Sequence, residues 1–367
     1  MKDRFGVFHA VIFTELSVNG YIVSKKPCPL KCPCPIGQTV LFYKKKISKG
    51  KIMSKKEMKV YKDLDKLPKG RADESITEGC LVLEGGAWRG LYTLGVLDRL
   101  MEENINFRKT VGISAGALSG IGYLSGQIGW AAEIDLTYRH DPNYCGIKAL
   151  GSDHGITGFS YLFHDILKEH PLDKQRLKTT PRILAVGATN MLTGQIEYFE
   201  KVNCNFFRAV RASATVPYIS RPVVIGGIPY LDGGCSVHIP YDYALKQGDE
   251  KVMVVKTRER EFRIEGKKML AARRMYKDYP EFVASIEKAE TDFNDVTEEL
   301  LRKEQEGKVF LMAPSKEVTV SRFEGDMDKL GDLYWLGYHD MEEAMPRLKK
   351  YLQIPTFVGM QDVDAHL

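Results

Sequence analysis

The stretch Val111-Gly112-Ile113-Ser114-Ala115-Gly116-Ala117-Leu118 decides how the rest of the chain is read. An apolar run, "KTVGIS", leads into it and only small residues follow. That is the pattern of a short buried strand passing straight into a helix. Ser114 has a glycine two positions away on each side, so it falls at the strand-to-helix turn. Two readings fit these residues. Small side chains let a helix pack closely on a strand, or they permit the sharp, strained turn of a nucleophile elbow. In the second case the N–H groups and dipole of the following helix face developing negative charge. Residues 111–132 carry no charge and are long enough to span a bilayer, with Gly112, Gly116 and Gly120 at four-residue spacing. Glycine and serine dilute the segment's hydrophobicity, and a strand followed by a helix is the expectation.

Two more glycine motifs flank this one. "CLVLEGG" reads as a buried strand running into Glu84-Gly85-Gly86-Ala87-Trp88-Arg89-Gly90, and Leu91, Leu94, Leu97, Leu100 and Met101 then recur at helical spacing. Consecutive glycines leave backbone N–H groups uncovered, which suits an oxyanion or a phosphate. A dinucleotide loop fits poorly, because alanine takes the second glycine position and no acidic ribose partner follows. A phosphate-binding Gly-Lys-Ser/Thr loop is excluded. Arg89 is a cation in a glycine-rich loop, suited to holding that loop in shape or to neutralising an anion. Asp232-Gly233-Gly234 would by itself be a turn.

Further strands are expected at "RILAVGATN" and "GQIEYFEK", separated by a turn at Thr193-Gly194, and at "VMVVKTRE" and "VFLMAP". "FFRAVRAS" reads as a short helix, and a charged helical region is broken near Pro280. Strand and helix in alternation predict a three-layer α/β/α fold with a mostly parallel central sheet. Residues 1–75, with lysine runs and no periodicity, are expected to be an irregular extension. Residues 76–352 form the predicted catalytic domain, 268–352 its helical C-terminal part, and 353–367 a tail. Met53 would itself serve as a start, which makes residues 1–52 an extension or upstream sequence.

Composition narrows the function classes. The chain has 367 residues, 44% hydrophobic and 28% charged, with a net charge of +5. That charge permits contact with anionic surfaces but falls short of a nucleic-acid binder's footprint. Seven scattered cysteines argue for a reducing compartment, and Cys28, Cys32 and Cys34 match no zinc spacing. No signal peptide is read at the N-terminus. The expected location is cytoplasmic, with peripheral contact at an anionic membrane as a further option, carried by "KKMLAARRMYK".

In the order "EGGAWRG", "GISAG" and "DGG", the three motifs resemble the patatin-like phospholipase family, the compact bacterial members most of all. The segment "RASATVPYISRPVVIGGIPYLDGG" adds the family's Ala-Ser-x-x-x-Pro run ahead of the aspartate, and the similarity covers roughly residues 78–340. The resemblance implies a Ser-Asp dyad, with Ser114 as nucleophile and Asp232 as base, that cleaves lipid carboxyl esters through an acyl-enzyme. It implies an oxyanion loop at Gly85, Gly86 and Ala87, supported by Arg89, with Gly112 and Gly116 shaping the elbow and Gly233 and Gly234 completing the aspartate motif. Glu84 stands where an aspartate usually opens the loop, and Ala87 replaces a glycine, so the loop's donors depend on an alanine backbone. The implied partner is a lipid ester, with no cofactor, metal or nucleic acid. Two alternatives remain: a Ser-His-Asp esterase using His238, His339 or His366, and a binding protein that keeps the glycine loop without chemistry. His154 is expected in a surface loop.

Overall fold

In the computed structural model, residues 58–202, 205–265 and 270–355 are described. Eight strands form one sheet: β1 (Thr77–Leu83), β2 (Phe107–Ile113), β3 (Ile183–Asn190), β4 (Ile196–Glu200), β5 (Val223–Ile225), β6 (Ile228–Asp232), β7 (Val252–Val255) and β8 (Val309–Met312). Strands β8, β7, β1, β2 and β3 run parallel in that order. Their aliphatic runs feed both faces alternately, as the two-residue period of a strand requires. Cys80, Val82, Val252, Val254, Val309 and Leu311 pack into one core, and Leu81, Leu83, Met253, Val255, Phe310 and Met312 into the other.

Helices cover both faces. On the Leu81 side lie α1 (Gly90–Glu102), α2 (Ala115–Ser125), α3 (Trp130–Tyr138), α4 (Phe206–Ser213) and α7 (Met327–Leu352). On the Val82 side lie α5 (Tyr241–Gln247) and the middle of α6 (Pro280–Gln305). The fold is therefore three-layered, as its strand–helix alternation predicts. Pro280 breaks the charged helical region by standing at the first position of α6, where its missing N–H costs nothing.

The sheet is mixed rather than parallel throughout. β4 and β6 both pair antiparallel with β3, and β5 with β6. The β5–β6 hairpin closes on Gly226-Gly227, both at positive φ (59° and 86°), a two-residue turn that matches strand twist. Ala188 pairs with Glu197 of β4 and with Asp232 of β6, so those strands lie on opposite edges of β3. Gly187 likewise pairs with Ile113 of β2 on one side and Tyr198 of β4 on the other. β6 therefore continues along the edge of β3 where β2 stops.

Two boundaries differ from expectation. Tyr61, Leu67 and Ala72 are buried in the main core, so residues 58–75 join the folded body rather than the irregular extension. The C-terminal part is not wholly helical, because β8 adds the edge strand beside β7. The Cys28–Cys34 cluster, Met53, His366 and the start of "KKMLAARRMYK" lie outside the described residues. Residues 111–132 divide among β2, α2 and the start of α3, and no described helix is long and apolar enough to cross a membrane.

Candidate active site

Ser114 lies between β2 and α2 with φ 56° and ψ −120°, a left-handed conformation that costs about 1–2 kcal/mol for a residue with a side chain. The elbow tightens because Gly112 and Gly116 carry no side chain. A Cβ on Gly112 would meet the Gly116 carbonyl at 2.5 Å, and one on Gly116 would meet the Leu83 carbonyl at 2.6 Å. The Ser114 N–H donates to Ser213 Oγ at 3.0 Å, which fixes the turn from α4.

The strand arrangement brings Asp232 to this turn. Ser114 follows Ile113, which pairs with Gly187, and Asp232 pairs with the next residue of β3, Ala188. The Ser114 hydroxyl donates to Asp232 Oδ2 at 2.7 Å, and the Gly234 N–H donates to Oδ1 at 2.8 Å. Thr189 Oγ1, which donates to the Asp232 carbonyl at 2.9 Å and lies 2.8 Å from Ser236 Oγ, anchors the backbone beneath the carboxylate. Burial pushes the Asp232 carboxyl up to about 6, against the opposing pull of the Ser114 and Gly234 hydrogen bonds and the Arg322 cation.

The glycine loop closes over the same point. The Gly85 N–H reaches back to the His238 carbonyl at 3.4 Å, whereas the N–H groups of Gly86 and Ala87 meet no acceptor among the described residues. Ala87 sits at φ 51°, so the alanine takes up the left-handed backbone that a glycine would favour there. Gly86 is held against Thr257, whose Oγ1 would lie 2.6 Å from a Cβ at that position. The buried Glu84 accepts the Thr257 N–H, and Thr257 Oγ1 donates to the Gly85 carbonyl at 3.1 Å. The loop is thereby tied to the end of β7, and burial raises the Glu84 carboxyl. Burial also lowers the Arg89 guanidinium, to about 10 with Glu84 opposing, and it stays a cation at neutral pH. The Arg89 Nε has no hydrogen-bond partner among the described residues.

The histidines stand apart from this pairing. His238 packs edge-on against Phe293 at 5.6 Å and makes no hydrogen bond to Ser114 or Asp232. Burial, with Arg322 and Arg89 nearby, pushes its imidazole down to about 4 and keeps it neutral. His339 lies on α7, stacked on Trp335, and His154 is exposed in a loop.

An apolar cavity of about 130 Å³ opens beside Ser114. Leu94, Leu118, Ile121, Ile134, Leu162 and Leu172 line it, with Arg322 and Phe323 among the wall residues. Ser213, Thr189 and Arg322 are the contributors that motif reading did not single out. Ser213 was within reach of it, as the serine of the Ala-Ser-x-x-x-Pro run. Thr189 and Arg322 belong to no motif, and only the folded sheet and loops bring them here.

The strained serine elbow, the glycine loop and the Asp-Gly-Gly turn thus meet at strand ends of one three-layer fold. Residues 81–245 match the family model described as patatin-like phospholipase. Residues 279–353 match a second model, described as a domain of unknown function, DUF6363. The uncharacterized protein YjjU of Escherichia coli (strain K12) is 29% identical over 185 residues, 48% of this chain and 51% of that protein. The probable lipid hydrolase 463L of Invertebrate iridescent virus 6 is 29% identical over 189 residues, 47% of this chain and 64% of that one. The chain thus spans about half to two thirds of the curated relatives it matches. Among solved structures, VipD from Legionella pneumophila is 13% identical with a TM-score of 0.39, covering 82% of this chain and 72% of that one.

Proposed function

We propose that the chain hydrolyses the carboxyl esters of lipids through a Ser114–Asp232 dyad. The observation that carries this reading is the 2.7 Å hydrogen bond from a backbone-strained serine to a buried aspartate, at the wall of an apolar cavity. Asp232 takes the hydroxyl proton as Ser114 Oγ attacks the ester carbonyl. Its raised pKa makes it a better base than an exposed carboxylate, and it is still ionised at neutral pH. The carbonyl oxygen, negative in the tetrahedral intermediate, is received by the free N–H groups of Gly86 and Ala87, each worth on the order of 3 kcal/mol. Collapse expels the alcohol and leaves an acyl group on Ser114. Asp232 then activates the water that releases the fatty acid. Gly85 takes a supporting part, since its own N–H is engaged with His238. Arg89 acts as a fixed positive charge behind the loop.

The reading is tested with a panel of lipid esters, products being identified by mass spectrometry. Wild-type protein is expected to turn over at least one lipid ester and to be labelled by a fluorophosphonate at Ser114, both with EDTA present. Ser114→Ala is expected to lose label and turnover together. Turnover that survives Ser114→Ala, or that EDTA abolishes, would refute it.

A further inference from the structure

Most of the cavity beside Ser114 is apolar, and its wall of Leu94, Leu118, Ile121 and Leu172 suits an acyl chain. Asp135 of α3 and Tyr144 interrupt that lining with a carboxylate and a phenol. The Tyr144 hydroxyl donates to Asp135 Oδ1 at 2.7 Å. Trp88, the residue after Ala87 in the glycine loop, packs edge-on against Tyr144 at 6.3 Å. The pair is therefore a built part of the wall, steadied from the glycine loop.

The other carboxylate oxygen is the open position. Oδ2 accepts no hydrogen bond from any described residue, and it is not among the orphaned polar atoms sealed inside the protein. Arg139, one turn further along, acts on the carboxylate through its charge. Its guanidinium, however, donates to the carbonyls of Phe323 (2.9 Å) and Glu324. Burial pushes the Asp135 carboxyl up to about 6, with the Tyr144 hydrogen bond and the Arg139 cation opposing, so it is largely ionised at neutral pH. Tyr144 needs only one acceptor, and the second oxygen adds nothing to that tie. An alkyl chain laid against Oδ2 would strip water from it and return no hydrogen bond. A chain bearing a hydroxyl would return a charge-assisted one.

Building on the ester-hydrolase reading, we propose that Asp135 selects lipid esters whose acyl chain carries a hydroxyl group within the cavity. The chain hydroxyl donates to Oδ2, while the rest of the chain packs on the leucines and Ile121. The reaction itself is unchanged: water cleaves the ester, and the products are a hydroxy fatty acid and the alcohol. Tyr144 is a positioning residue, which holds the carboxylate by Oδ1 and leaves Oδ2 for the chain.

The test uses the full chain and monoacylglycerols of one chain length, either unsubstituted or hydroxylated at successive carbons. Wild-type kcat/KM is expected to peak at one hydroxyl position and to exceed that of the unsubstituted chain by at least about tenfold. Asp135→Leu combined with Tyr144→Phe removes both hydrogen-bonding partners with little change of volume, and should invert that ratio. Asp135→Asn is the milder variant. Tyr144 still claims its oxygen, so an NH2 group stands in place of Oδ2 and the ratio should fall several-fold. Unfolding curves matched to wild type show that each variant keeps the fold, and Asp135→Asn decides alone if the double variant does not. Equal rates for all chains in wild type, or a preference unchanged in Asp135→Asn, overturn the proposal while ester hydrolysis stands. If wild type cleaves no ester and takes no label at Ser114, the hydrolase reading fails and this one falls with it.

Discussion

At Ser114 and Ala87 the chain holds two side-chain-bearing residues at positive φ, 56° and 51°, within one site. Each costs about 1 kcal/mol or more, and both line the same cavity. The alanine keeps an N–H that meets no acceptor among the described residues, at an energetic cost that a glycine would avoid. Glu84 has an equally local explanation. Its carboxylate reaches the Thr257 N–H and ties the loop to β7. Asp232 makes a pH prediction at this scale. Its folded pKa is raised to about 6, chiefly by burial, and the base must be ionised to accept a proton. The kcat/KM for a neutral ester should therefore be flat above about pH 7 and fall as pH drops through 6. A pH–rate profile checks this; an acid limb centred near pH 4 would mean that burial does not tune the base.

The element that holds the site from behind is α7, packed across α1. A Cβ on Gly95 would overlap the Tyr334 carbonyl, and one on Gly337 would overlap the Tyr92 carbonyl, so the two backbones approach through reciprocal glycines. Asp98 of α1 joins them by accepting the Tyr334 hydroxyl at 2.8 Å, along with the Gly129 N–H at 2.8 Å. Burial raises this carboxyl to about 7. Because the helix backbones cannot separate without opening the core between them, Gly337→Ala should cost about 1–3 kcal/mol and lower Tm by roughly 3–10 °C. Differential scanning calorimetry reads this directly, and an unchanged Tm would show that the crossing has slack.

Across the whole molecule, the sequence was most readable where chemistry is local. Periodicity placed β1, β2 and α1, a run of small residues placed α2, and the three glycine motifs fall at strand ends. The β5–β6 hairpin was harder to see, although Gly226-Gly227 was there to mark it. Its strands are short, and its partner β3 lies about forty residues upstream, beyond the reach of any periodic pattern. The same holds for the meeting of Ser114 with Asp232. Spacing along the chain does not show that β6 takes over the edge of β3 where β2 ends. The resemblance supplied the pair, and the pairing of Ile113 with Gly187 and of Asp232 with Ala188 gives its physical reason. Arg322 lay furthest from sequence reading. A lone arginine in an unpatterned loop joins the site only because the folded chain brings that loop to the cavity beside Ser114.

The dyad is the central claim, and one substitution tests it with little change in shape. Asp232→Asn keeps the volume of the side chain and an oxygen for the Gly234 N–H, but removes the base that faces the Ser114 hydroxyl. The measurement is kcat/KM for a lipid ester at pH 7.5, variant against wild type, with matched unfolding curves. The account predicts a loss of roughly 10²–10⁴-fold, the usual worth of a positioned general base. A variant that keeps its rate within a few-fold would contradict it, and would mean that another group takes the proton from Ser114.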